Sequence, residues 1–289
     1  MTSKFHSAAV LTGVMLSAAF FAETPAEQAA LVESLEHTYG PFPLKAESLQ
    51  QVPPRMEVVF PEDLWLVGYN TEMVDASGKR LSRELQCHTF LGTSLPAHQS
   101  HETVAGLFSD GYTETFHLPP GFGILMKAGQ KVYWTPMFNN RLPWVATASM
   151  RLVMDVIRAR NLKQPLQPLT TTFRTIQNPD LYYVPPGRDV HETTFRLPFT
   201  GKIHAMGTHI HPYGVSIELV NVTRNTTVWK AQGRRGEDER LISMPVYSNQ
   251  DGYDVRADDQ FKLIAVYQNP TSKPVDAMAG VFILYAPQN

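Results

Sequence analysis

The stretch Ala279-Gly280-Val281-Phe282-Ile283-Leu284-Tyr285 decides the fold class. It is a seven-residue apolar run, rich in β-branched and aromatic residues and too short for a core helix, so it predicts a strand. Working outward, the same kind of run recurs along the chain. Phe261–Tyr267, Val215–Val220, Met150–Val156, Lys131–Trp134, Leu64–Tyr69 and Met56–Phe60 are short, largely apolar and bounded by turn residues. Many short strands at close spacing predict an all-β chain built as sandwiches or jelly rolls, not βαβ units. The 18 glycines and 22 prolines, scattered through many segments, agree with a loop-rich β protein.

At 289 residues the chain is long enough for two cores. The proline-dense Gln164–Leu169 is the natural joint, which gives an N-terminal β-sandwich over 41–163 and a C-terminal one over 170–289. With 43% hydrophobic and 18% charged residues the composition is globular. A net charge of −2 without a Lys/Arg block gives no reason to expect a nucleic-acid or anionic-membrane partner. Residues 1–22 read as an export signal. Lys4 and His6 precede an apolar run from Ala8, which ends in small residues suited to cleavage near Ala19 or Ala22. A short apolar helix or an uncleaved anchor is the alternative. The expected location is therefore periplasmic or secreted, with no integral membrane domain in the mature chain. Thr24-Pro25-Ala26-Glu27 carries an N-cap, a proline at the first helical position and a capping-box glutamate, and predicts a helix running toward Gly40. The single cysteine, Cys87, excludes an internal disulfide framework.

His209-Ile210-His211 places two imidazoles on one face of a strand, because strand side chains alternate with period two. Two imidazoles from one rigid strand make half of a metal site. Among ten histidines such a pair also occurs by chance as two ordinary surface or pocket residues. Around it stand Gly207-Thr208-His209-Ile210-His211-Pro212-Tyr213-Gly214, then Val266–Thr271, then Asp276-Ala277-Met278 entering the last strand, with Val184-Pro185-Pro186-Gly187 upstream. Over residues 180–286 this pattern resembles the copper type II, ascorbate-dependent monooxygenases, the family of peptidylglycine α-hydroxylating monooxygenase and dopamine β-monooxygenase. The resemblance implies that His209, His211 and Met278 bind the copper at which dioxygen is activated. A thioether suits Cu(I) and imidazoles serve both oxidation states. The competing role for Met278 is core packing.

The first half resembles the family's N-terminal domain through Leu118-Pro119-Pro120-Gly121-Phe122-Gly123 and the strand reaching Phe138-Asn139-Asn140. Where the family has three histidines at a second, electron-relaying copper, this chain has Cys87, His88 and Met137. Either these make a softer second copper site, or Cys87 and Met137 simply pack and the site is lost. His98, His101 and His117 lie near in sequence. His191 and His204 read as structural, His204 on the face opposite His209. Cys87 and His88, as strand neighbours, need irregular backbone to serve one metal.

Two functions follow. One is an oxidoreductase hydroxylating a small-molecule substrate with dioxygen and an external reductant or electron donor such as ascorbate. The other is a non-catalytic exported copper carrier or store. Enzymes of the family that act on glycine-extended peptides clamp the substrate carboxylate with an arginine and a tyrosine. Those positions are Gly207 and Phe282 here, with Gly280 between, which predicts a substrate that is neutral or apolar near the copper.

Overall fold

The computed structural model describes residues 23–93, 106–176 and 182–288, and over these the protein is nearly all β. The signal read over residues 1–22 lies outside the described residues, as do His98 and His101. Helix Pro25–Ala30 starts as its capping box requires. The Thr24 hydroxyl accepts from the Glu27 amide, and the Glu27 carboxylate accepts from the Thr24 amide. It ends at Ala30, well short of Gly40, because residues 33–44 form a strand instead. Along it Glu33, Leu35, His37 and Tyr39 are shielded while Ser34, Glu36 and Thr38 are exposed, an alternation of period two that overrides the local helix signal.

The N-terminal half is a β-sandwich. One sheet runs in the order Glu33–Leu44, Ala146–Arg158, Leu64–Val74, Phe122–Met126, and the other Ser48–Gln51, Lys131–Asn140, Gln86–Gly92, Gly106–Asp110. Leu66, Met73, Met150, Leu152 and Met154 from the first sheet meet Leu91, Leu107, Trp134 and Phe138 from the second in one core. The proline-dense stretch near 164–169 is tied to this half. Leu166 packs with Trp65 and Ile157, and the Gln167 and Leu169 amides donate to the Gly121 and Gly123 carbonyls.

The C-terminal half repeats the plan. Thr170–Thr175, Ala279–Pro287, Gly201–Ile210 and Tyr247–Val255 form one sheet; Gly187–Arg196, Gln260–Asn269, Gly214–Asn221 and Thr226–Gln232 form the other. Ile203, Met206, Ile210, Val281 and Ile283 face Ile217, Leu219, Phe261, Leu263 and Ala265 across its core. The opposite side of the first sheet is buried too. Ala205, Phe282, Leu284 and Ala286 belong to the core of the N-terminal sandwich. The last strand is therefore apolar at every position because each of its faces is covered, as fully buried strands are. This shared sheet forms the seam between the halves, and its seam-facing residues include His209.

Candidate metal centre

His209 lies one residue before the end of strand Gly201–Ile210, opposite Gly280, and His211 follows that strand with its amide donating to the Met278 carbonyl at 3.2 Å. Period two puts Ala205, Gly207, His209 and His211 on the seam side, opposite Met206 and Ile210. Across the seam stands Cys87 on strand Gln86–Gly92. Here the ladder to Lys131–Asn140 slips: Gln86 pairs with Phe138 and His88 with Met137, which leaves Cys87 as the extra residue of a β-bulge. The irregular backbone that Cys87 and His88 need is thus present. Both turn toward His209.

Cys87, His209 and His211 each offer a ligand atom, and these atoms all lie within 4.8 Å of one another. All three residues are at most 4% exposed. Around a tetrahedral ion, bonds of about 2.0–2.3 Å place ligand atoms about 3.3–3.8 Å apart, so about an ångström of closure brings the set to bonding distance.

Each imidazole is held at its other nitrogen by a carboxylate. The His209 Nδ1 lies 3.2 Å from Asp110 Oδ2, and the His211 Nδ1 lies 2.8 Å from Asp276 Oδ2. A carboxylate at Nδ1 assigns the proton to that nitrogen and leaves the Nε2 lone pair free. Both Nε2 atoms are buried without a hydrogen-bond partner among the described residues. An unmet buried polar atom costs about 1–3 kcal/mol, and two of them beside one thiol form a cradle that suits a soft or borderline metal ion.

Arg141 completes the outer layer with a bidentate pair to Asp276, at 2.6 and 2.7 Å. Burial alone would raise the Asp276 carboxyl, but Arg141 and His211 outweigh it and hold it well below the usual carboxylate range. At His209 burial opposes the charged form, yet Asp110 and Cys87 beside the ring outweigh it and raise the imidazole above its ordinary value. The space beside the donors is about 10 Å³, enough for about one water. A cavity of about 420 Å³ lies elsewhere, lined by Asn70, Glu72, Met73, Arg80, Leu81, Arg83 and Thr115, and contains none of the donors.

No family model matches the chain. No curated protein matches it either. Among solved structures, the major capsid protein P2 from Bacteriophage PM2 aligns with a TM-score of 0.35 at 9% identity, covering 88% of this chain and 98% of that one. A chain of Sulfolobus Turreted Icosahedral Virus aligns at 0.38 and 10%, covering 89% and 90%. Likenesses of this extent carry no inference about chemistry.

The sequence-derived donors fall in two groups. Residues expected in two separate sites, Cys87 in one and His209 with His211 in the other, meet in a single cluster. His88 is half-buried, its ring 5.4 Å from that of His209 and 5.3 Å from Phe108. Met137 pairs with His88 across the ladder and is half-buried. Met278 is buried, and its backbone carbonyl accepts from the His211 amide and from the Tyr267 hydroxyl. His191 is bound to Asp189 at 2.9 Å, and exposed His117 lies 3.8 Å from Asp155. His204 corrects the face expected for it. A register shift between Ile203 and Ala205 makes it the extra residue, and its ring lies 3.9 Å from Phe122 of the N-terminal sandwich. Asp110 and Arg141 carried no signal in the sequence, since each acts on a residue about a hundred or more positions away.

Gly207 and Phe282 explain each other. A Cβ on Gly207 would stand 2.1 Å from the Phe282 ring, so the aromatic ring occupies the space that a clamping side chain at 207 would need.

Proposed function

We propose that the protein holds one copper ion through Cys87, His209 and His211, with Met278 beside them, and that it carries or stores the metal without transforming an organic substrate. The observation that carries this is the pair of buried Nε2 atoms without a partner among the described residues, on two imidazoles that cluster with the Cys87 thiol within 4.8 Å. Two imidazoles and a thiolate are a donor set that accepts both copper oxidation states. When bound, copper would supply a one-electron couple there.

Three features favour holding over turnover. Space at the donors amounts to about one water, whereas substrate pockets run to several hundred Å³. Phe282 fills the clamp position. The donors are buried in a closed seam. Export, expected from residues 1–22, fits as well, because metal ligation gives a lone thiol a role in an oxidising compartment.

Metal analysis of purified, copper-loaded protein tests the proposal. One copper per chain is expected, with a thiolate-to-copper absorption band that Cys87→Ser removes. Preference for zinc over Cu(I), or a band unchanged by that substitution, would overturn it. Incubating loaded protein with a glycine-extended peptide, ascorbate and oxygen should give no hydroxyglycine product. Turnover would restore the monooxygenase.

A further inference from the structure

The donors come from opposite sandwiches, and so do the groups that aim them. We infer that copper acts as a clasp across the seam, with Asp110, Arg141 and Asp276 as the positioning residues that aim the donors. This rests on the copper reading above.

Asp110 belongs to the N-terminal sandwich, where its Oδ1 accepts from the Tyr112 amide (2.9 Å), the Thr113 amide (2.7 Å) and the Thr113 hydroxyl (2.8 Å). Fixed in this way, it presents Oδ2 across the seam to the Nδ1 of His209 and, at 3.4 Å, to the Ile210 amide. At His211 the order is reversed. Asp276 lies in the C-terminal half, and Arg141 reaches it from the N-terminal half with both guanidinium nitrogens. His209 is therefore aimed directly from the other sandwich and His211 through Asp276, which Arg141 holds from across the seam, while Cys87 approaches from the N-terminal side. A shift of the halves by an ångström or two would break the donor set and both aiming contacts together.

The surrounding seam is held by separable contacts. The Met244 amide donates to the Tyr112 carbonyl at 2.8 Å, the Glu114 amide to the Met244 carbonyl at 3.2 Å, and the Thr171 hydroxyl to the Gly106 carbonyl at 2.7 Å. An ion that binds the closed arrangement and not an opened one shifts the population toward closure by its full binding strength. Removing an outer-layer partner of a ligating histidine lowers metal affinity about 10–100-fold.

Hydrogen exchange of the full chain, with and without Cu(I), is the test. At copper 100 times its dissociation constant, the Met244 and Glu114 amides should exchange up to about 100-fold more slowly, while amides inside either sandwich change little. Arg141→Met touches neither imidazole. It should weaken copper binding about 10–100-fold, alter the copper spectrum and abolish the added protection. Thr171→Val loosens the seam elsewhere and should leave the spectrum unchanged. Copper uptake by the wild-type protein with no change at Met244 and Glu114 would overturn the clasp alone; no uptake would overturn the copper reading and the clasp with it. An Arg141→Met protein with wild-type spectrum and affinity would remove Arg141 from the positioning set.

Discussion

His204 and His209 sit five residues apart on one strand, both buried, and they differ in what surrounds each ring. His204 lies against Phe122 with its Nδ1 3.1 Å from the neutral Asn249 carbonyl, and burial pulls its pKa below the ordinary value. His209 meets a carboxylate at Nδ1 and a thiol near Nε2, and its pKa moves the other way. Burial is common to both. What separates a packing imidazole from a candidate ligand is an anionic partner on one nitrogen and an unmet lone pair on the other.

The sharpest way to break this comparison is to delete each kind of histidine. Replacing His209 and His211 together with Ala should lower copper affinity by more than about 100-fold, beyond the loss from an outer-layer change. His204→Ala should leave one copper per chain and cost only stability. Equal copper content in the two variants, measured after desalting, would erase the distinction. Cys87→Ser comes next: it should weaken Cu(I) retention against a competing chelator, because a hydroxyl is a harder and poorer donor to that ion. Gly207→Ala then tests the strand between the two histidines. With a Cβ aimed at the Phe282 ring, a loss of about 1–3 kcal/mol in thermal unfolding is expected, as for other overpacked cores. The smallest effect belongs to Met278→Leu, which conserves volume and should cost under about 1.5 kcal/mol. It should also weaken Cu(I) more than Cu(II), and equal weakening of both would assign Met278 to packing.

Period-two counting explains which parts of this were legible in the sequence. The apolar runs gave their strands because burial on one or both faces leaves a local pattern, and the capping box at Thr24 gave the helix start because its hydrogen bonds join residues three apart. His209 and His211 sit on a regular stretch, so parity alone put them on one face. Parity failed wherever a bulge inserts a residue. The shift beside Ala205 turned His204 to the seam, and the one beside Gln86 brought Cys87 to the histidine pair. Local helix propensity after Ala30 lost to pairing with Ala146–Arg158, a partner more than a hundred residues away. Asp110 and Arg141 were invisible for a related reason: a turn aspartate and a loop arginine look ordinary until the seam closes.

The bulge at Cys87 has a consequence for chain length. In a regular strand, consecutive side chains face opposite ways, so no substitution could show both residues 87 and 88 to the same partner surface. One surplus residue makes it possible. A chain shortened by a single residue at that point would regain a straight ladder, and the seam would then meet a thiol or an imidazole but never both. The chemistry of this joint is thus as sensitive to an insertion or deletion beside Gln86 as to any exchange of one amino acid for another.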